Sequence, residues 1–253
     1  MIKNLLVLVT LLIVSFACKE STTEPPEKNN SSDFFPSTDG NYYYFNVSIY
    51  DSNGTIIQSG TRKSFYNGDT AIFSTPYQVK IDSFQLTGFQ TINKSYFRKS
   101  STEVFNYVKI DSNGYFYLIP DSLRGNFSLP LQYPILYELL EVNQIWHVFD
   151  IWADIPQFEI FNVDAEVISM DTTTILFQNT SLTVEVIKIK YDARLTTNLS
   201  DPPIMFEANA WIAKGVGITK WEGDAELINF FAGAEIYPIN TNVLEDLYSF
   251  KLN

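Results

Sequence analysis

Tyr42-Tyr43-Tyr44-Phe45-Asn46-Val47-Ser48-Ile49-Tyr50, followed by Asp51-Ser52-Asn53-Gly54 and a second run from Thr55 to Tyr66, decides how this chain folds. Tyr43, Phe45, Val47 and Ile49 fall on one face of an extended segment, and Tyr44, Asn46, Ser48 and Tyr50 on the other. Apolar residues recurring every second position mark a half-buried strand, because successive side chains of a strand point to opposite sides. Asn-Gly between two such runs marks a tight hairpin, since both residues tolerate positive φ. The same four letters return at Asp111-Ser112-Asn113-Gly114, between Val104–Ile110 and Tyr115–Ile119. Neither loop is a calcium site of the helix-flanked kind, which needs Gly at its sixth position and a closing Glu.

The pattern continues outward. Strands are expected at Tyr77–Leu86, Phe89–Arg98, Ile145–Trp152, Gln157–Met170, Thr174–Gln178, Ser181–Leu195, Ile204–Ala213, Val216–Trp221 and Ala225–Phe231. In the Ser181 run the apolar face changes from Leu182, Val184 and Val186 to Ile187, Ile189 and Tyr191. A one-residue slip of this kind predicts a bulge near Val186. Helix is expected only as a turn or two near Ile135–Val142 and Val243–Tyr248. Strands without intervening helical periods give an all-β class, a single curved antiparallel sheet forming a half-barrel or an open β-barrel.

The N-terminus has a different character. Lys3 precedes a fourteen-residue apolar run, Leu5 to Cys18, that ends at Ala17 and the chain's single cysteine. The run is too short to span ~30 Å of hydrocarbon as a permanent helix and suits the apolar region of a signal peptide. Ser15-Phe16-Ala17-Cys18 resembles the processing site of bacterial lipoprotein signal peptides. That resemblance implies cleavage before Cys18 and lipidation of Cys18. Cleavage of the same bond by ordinary signal peptidase would leave a free N-terminal thiol instead. Several acyl chains on one cysteine make a lasting membrane anchor, each buried methylene contributing ~0.8 kcal/mol. Lys19 to Asp33 contains no aromatic or aliphatic residue and is expected to be a disordered tether. Lys19-Glu20 is similar to the signal that exports some Bacteroidetes lipoproteins to the cell surface, which leaves the surface and the periplasmic face both open. The expected organisation is a signal peptide at 1–17, lipidated Cys18 and tether at 18–33, and one all-β domain at 34–253.

Composition narrows the partners. The formal charge of the whole chain is −12, and removal of residues 1–17, which carry only Lys3, makes it −13. A chain this acidic is unsuited to nucleic acid, whose binding depends on clustered Lys and Arg. With its one cysteine committed at position 18 the chain can form no internal disulfide, so stability rests on apolar burial, amply supplied by 20 Phe, 15 Tyr and 4 Trp.

Near the C-terminus, Trp211-Ile212-Ala213-Lys214-Gly215-Val216-Gly217-Ile218-Thr219-Lys220 resembles an A-x-G-V-G-x-x-K strand-turn-strand signature of uncharacterised outer-membrane lipoproteins of Bacteroidetes-like and Ignavibacteria-like bacteria. Tyr133-Pro134 through Val142-Asn143-Gln144-Ile145-Trp146, and Phe35-Pro36 through Tyr44, are similar to further segments of that family. The resemblance implies fold and address and carries no activity. Gly215 and Gly217 are expected to permit a tight reversal with close backbone approach between the flanking strands. No helix follows them, so they are not a phosphate loop.

Catalytic chemistry is thinly represented. His147 is the only histidine, which excludes multi-histidine metal sites, and no G-x-S-x-G elbow accompanies it. Strand alternation puts His147 with Ile145 and Phe149, as a packed or rim histidine. Asp164 and Glu166, two apart on one strand face, stand ~6.5 to 7 Å apart at Cα, a separation compatible with a glycosidase acid and base. Val163, Ala165 and Val167 alternate with them, so the pair is expected to point to solvent. Asp150 and Asp154 beside Trp152 form a weaker pair. Tyr42, Tyr44 and Tyr50, on the more polar face of the first strand, are candidate ligand-stacking residues. The sequence therefore reads as a lipid-anchored outer-membrane module without catalysis, cofactor or metal, binding a polysaccharide, an apolar molecule or an envelope protein. A glycan hydrolase using the paired carboxylates and a structural assembly protein are the alternatives.

Overall fold

The computed structural model describes residues 33–108, 129–137, 139–153, 157–177 and 180–253. Cys18, most of the tether, the second Asp-Ser-Asn-Gly hairpin and Asp154 lie outside the described residues. Twelve antiparallel strands form one sheet: β1 Tyr42–Tyr50, β2 Ile56–Ile72, β3 Thr75–Leu86, β4 Phe89–Lys99, β5 Glu103–Tyr107, β6 Gln132–Tyr137, β7 Ile145–Ala153, β8 Phe158–Phe177, β9 Thr180–Leu195, β10 Ile204–Ala213, β11 Gly217–Asp224 and β12 Asn242–Lys251. Their order is β6-β5-β4-β3-β2-β1-β12-β11-β10-β9-β8-β7. Two six-stranded meanders are thus joined through the first and last strands, and the sheet's two edges are β6 and β7, consecutive in sequence.

The sheet curls until these edges meet, nearly closing a barrel. Contact across the seam is aromatic. Tyr137 packs edge-on against Trp146 with ring centres 5.6 Å apart, and Tyr133 against Phe149 at 5.4 Å. Both edges are poor templates for a continuous ladder. Pro134 in β6 has no N–H to donate, and β7 shifts register between His147 and Phe149 and again between Ile151 and Trp152. Bulges of this kind bend an edge away from further pairing.

Inward residues form the core. In β1, Phe45, Val47 and Ile49 are buried, as the alternation predicts. Asp51 tightens the first turn by accepting from the N–H groups of Asn53 and Thr55, both at 2.9 Å.

Several expectations are corrected. Ala225–Ala232 is a helix, α1, where a strand is predicted. The segment is buried on nearly every side, so its apolar run has no amphipathic period to distinguish it from a buried strand. The end signals are helical: Glu226 in the first turn and Gly233 at φ 64, whose N–H reaches Phe230 O at 3.0 Å. Ile135–Tyr137 belongs to β6 and Val243–Tyr248 to β12, where turns of helix are predicted. In β6, Ile135 and Leu136 are both buried because the register with β5 shifts there, which breaks the two-residue period. In β12 the period is intact, with Val243, Glu245 and Leu247 inward, but the acid in the middle conceals it. β8 is one strand across the predicted gap at Asp171–Thr173, paired throughout with β9. The bulge expected near Val186 lies on β8, between Val167 and Ser169. β9 itself pairs with β10 without interruption from Val186 to Leu195, so its change of apolar face is genuine.

Two segments cap the barrel. At the end where β1 begins and β12 finishes, Asp33–Asn41 crosses the opening. Tyr43 donates its hydroxyl to Pro36 O at 2.9 Å, Gln78 donates its amide to Ser37 O at 2.8 Å, and Gly215 N–H donates to Asp33 O at 2.6 Å. Gly215 and Gly217 both have positive φ. The tight backbone approach expected between their flanking strands is not there: a Cβ at Gly215 would meet nothing within 4 Å, and one at Gly217 would make ordinary contact with the Pro36 ring at 3.4 Å. From the opposite end α1 folds back into the barrel after β11.

Candidate functional site

Helix α1 is held inside by both halves of the sheet. Phe230 stacks on Tyr133 with centres 5.0 Å apart and touches Phe149 and Phe161, while Phe231 packs on Trp221 and Tyr191. Two inward asparagines serve its C-terminal carbonyls. Asn93 donates to Ala232 O at 2.6 Å and Asn106 to Phe231 O at 3.3 Å. Asn229, fully buried, organises the return loop by accepting from Ile236 and Tyr237 N–H and donating to Tyr237 O.

Between the Phe35-Pro36 strap and α1 lies a cavity of about 80 Å³. Its wall is mainly aromatic and aliphatic, with Phe35, Phe84, Phe97, Trp221 and Phe231 contributing. A concave, largely apolar wall with a few convergent polar groups is the character of a small-molecule site.

One part of the wall is charged. Arg62 of β2 sits with Nη1 3.2 Å from Asp82 of β3 and Nη2 2.5 Å from Glu245 of β12. Lys80 Nζ is 3.2 Å from the other Asp82 oxygen. Ser64 donates to Asp82, and the Tyr237 hydroxyl donates to Glu245. The Arg62 guanidinium also lies 4.0 Å from the centre of the Phe45 ring. Two cations face two carboxylates, so the cluster is electrically balanced, as buried charges must be. Burial disfavours the Asp82 charge, yet Lys80, Arg62 and the Ser64 hydrogen bond outweigh it and hold the carboxyl below its ordinary value. Burial pulls Lys80 down, only partly offset by Asp82. Burial, reinforced by neighbouring acids, raises Tyr66 and Tyr237 well above an ordinary phenol.

Two polar atoms of this wall have no partner among the described residues: Arg62 Nε, an unused donor, and Asn106 Oδ1, an unused acceptor. Both side chains are more than nine-tenths buried, at 6% and 2% exposure. The Asn106 orientation is fixed by chemistry, because its other atom faces the Phe231 carbonyl and must be the NH₂ group.

The residues singled out from sequence lie elsewhere. Tyr42, Tyr44 and Tyr50 are on the outer face of β1, and none lines the cavity. Tyr42 stacks on Phe65, Tyr44 meets Tyr248, and Lys63 Nζ lies 5.0 and 5.6 Å from the Tyr42 and Tyr44 rings. Tyr50 stands at the far end of the strand. Asp164 and Glu166 also face outward. His147 is half exposed, with Nδ1 3.1 Å from Asp164 and Nε2 3.8 Å from Asp150. Its predicted grouping with Phe149 is corrected: the bulge after His147 turns Phe149 inward, where it is buried. Among the described residues no three His, Cys, Asp or Glu side chains are placed to hold a metal, and no helix is long and apolar enough to cross a membrane. The outward positions at mid-strand carry Lys63, Asp164, Lys190, Glu207 and Lys220, a face unlike the apolar belt of a lipid-embedded barrel.

The charged cluster went unnoticed in the sequence although a signal exists. Arg62, Asp82 and Glu245 each fall in phase with inward residues: Arg62 with Ser64 and Tyr66, Asp82 with Phe84 and Leu86, Glu245 with Val243 and Leu247. A charge at an apolar-phase position is a candidate buried charge, and three on one sheet ask for mutual pairing.

No family model matches the chain, and no curated protein does. Among solved structures it is similar to a candidate lipoprotein from Parabacteroides distasonis, at 14% identity and TM-score 0.40 over 86% of this chain and 98% of that one. It is also similar to a candidate exported protein with YmcC-like fold from Bacteroides fragilis, at 12% identity and TM-score 0.44 over 87% and 99%. The hypothetical lipoprotein YmcC from Escherichia coli is similar at 9% identity and TM-score 0.31 over 81% and 84%.

Proposed function

We propose that this protein is a lipid-anchored component of the bacterial outer membrane that binds an apolar molecule inside its barrel and performs no catalysis. The observation that carries the reading is the capped cavity. Its wall is mainly apolar, its one polar sector is charge-balanced, and two of its polar atoms are left for something other than protein. A packed structural barrel fills its interior with side chains, whereas this one keeps room between its strap and its helix. The cluster is poorly suited to nucleophilic catalysis. Ser64 donates to Asp82, whose lowered pKa makes it too weak a base to activate a hydroxyl. The anchor is supplied by Cys18 and the tether behind it.

The test is to purify the protein from its own membranes, denature it, and analyse the organic extract by mass spectrometry. A lipid-like species released in near-stoichiometric amount is the expected result. A clean extract, together with failure of the refolded protein to bind the apolar fluorophore N-phenyl-1-naphthylamine, would sink the reading.

A further inference from the structure

Resting on the lipid anchor of the proposed function, we infer that the strap end of the barrel docks on the lipid surface, with Phe73 and Leu176 entering the interface on opposite sides of the mouth. Phe73 is at the tip of the β2–β3 hairpin and Leu176 near the tip of β8–β9. Both hairpins run past their neighbours at the end where β1 begins. From Thr70 and Tyr77 to Ile72 and Thr75, β2 and β3 pair only with each other. From Thr173 and Val184 onward, β8 and β9 do the same. Between the two hairpins lie β1, β12, β11 and β10 one way round, and β4, β5, β6 and β7 the other. They therefore face each other across the opening.

Phe73 and Leu176 are each 75% exposed. The backbone has φ 47 at Phe73 and φ 66 at Ser74, a turn that ordinarily takes Asn-Gly because a bulky residue is strained there. An aromatic ring held in that conformation and left mostly in water gains little from the fold, so its gain lies outside it. Residues 70–79, Thr172–Leu176 and Ser181–Val184 carry no charge, although the chain as a whole stands at −12. Uncharged tips meet no repulsion at an anionic bilayer and bind by burying apolar surface. The occupant is argued from the chain that leads to it. Asp33 is fixed at the strap end, its carbonyl accepting from Gly215 N–H and its carboxylate lying 2.5 Å from Lys99 Nζ. Cys18 precedes it by fifteen residues, which reach at most about 50 Å fully extended, so a lipid on Cys18 holds this end towards the membrane. Two apolar tips set across one mouth match a flat surface, whereas a bound peptide needs its contacts in one line. The opposite rim also exposes apolar side chains, Ile57 and Met205 among them, but no chain leads from that rim to the anchor.

The mature chain carrying Cys18→Ser and an N-terminal histidine tag is held on vesicles of phosphatidylethanolamine and phosphatidylglycerol that contain a nickel-chelating lipid. This artificial anchor makes the outcome independent of lipidation in the cell, which palmitate labelling of Cys18 decides by itself. An environment-sensitive NBD label is placed at Ser74→Cys or, on the opposite rim, at Ile57→Cys. The expected result is at least a twofold rise in emission at Ser74 and its quenching by nitroxide on the lipid acyl chains, with neither at Ile57. Adding Phe73→Asn, a residue that tolerates positive φ, together with Leu176→Asn should bring the Ser74 signal down to the Ile57 level while the protein stays on the vesicles. The comparison of the two label positions decides the matter even if the double variant fails to fold. A Ser74 label that stays in water on the vesicles, or equal quenching at both rims, would overturn the inference. A rise at Ser74 without vesicles that grows with protein concentration would assign the tips to a second copy of the chain and overturn it as well.

Discussion

Arg62 Nη2 lies 2.5 Å from Glu245 Oε2, a contact that joins β2 to β12 across the intervening β1. The two residues are far apart in sequence and come from the two different meanders. Their pairing therefore ties the halves of the sheet together on the inner side of the strand that links them.

Arg62→Met should destabilise the fold by about 3–5 kcal/mol, the cost of leaving buried carboxylates uncompensated. The double variant Arg62→Met, Glu245→Gln should recover part of that loss, since it removes one stranded charge. Urea unfolding followed by circular dichroism checks both. A single variant as stable as the unmutated chain would show that the pair is more hydrated than its 8% and 3% side-chain exposure implies.

Stability should fall at both ends of the pH scale, for different residues. Asp82 has a folded pKa below its unfolded value. Its contribution is present above about pH 4 and is lost as pH falls through the folded value. Asp82→Asn should flatten that acid limb while lowering stability at neutrality. Tyr43, Tyr66, Tyr191 and Tyr237 are raised by burial. Their contribution is complete below about pH 10 and declines above it as the unfolded chain ionises. Lys80, lowered in the fold, acts in the opposite sense on the alkaline side, and four phenols outweigh one amine. Thermal melting temperatures across pH are the measurement, and an alkaline limb that rises would contradict the assignment.

Phe230→Ala should cost about 3–5 kcal/mol, the usual range for emptying a large aromatic site in a core. The side chain touches Tyr133, Phe149 and Phe161, so its removal loosens α1 from β6, β7 and β8 together. The variant should also raise exchange of amide protons in α1 relative to β1 and β2. Uniform exchange across the barrel would mean that the helix is not a separable plug.

Replacing Cys18 by Ala should abolish incorporation of labelled palmitate and move the protein from the membrane to the soluble fraction. Retention in the membrane without label would assign the attachment to another part of the chain.

Much of the architecture was legible because side-chain alternation is local. Residues 42 to 50 announce a strand, Asp51 to Gly54 a hairpin, and the boundaries Ile204–Ala213 agree with β10 to the residue. Legibility failed where the signal was not local. Ala225–Ala232 is buried on nearly every side, Glu226 and Asn229 included, because it is enclosed by strands from both meanders, and no period in its own sequence records that enclosure. The bulge belongs to β8 although β9 shows the change of face, since register is a property of a pair and not of either strand alone.

The sequence by itself determined an all-β antiparallel class, the inward set of β1, the lipoprotein-like N-terminus and the poverty of catalytic motifs, all of which follow from residue type and spacing along the chain. Only the tertiary structure decided that β1 pairs with β12, that β6 and β7 meet through aromatic rings, and that Arg62, Lys80, Asp82 and Glu245 share one wall. The physical reason is that a buried charge is tolerated only beside its opposite, and which charges become neighbours is set by strand order and closure.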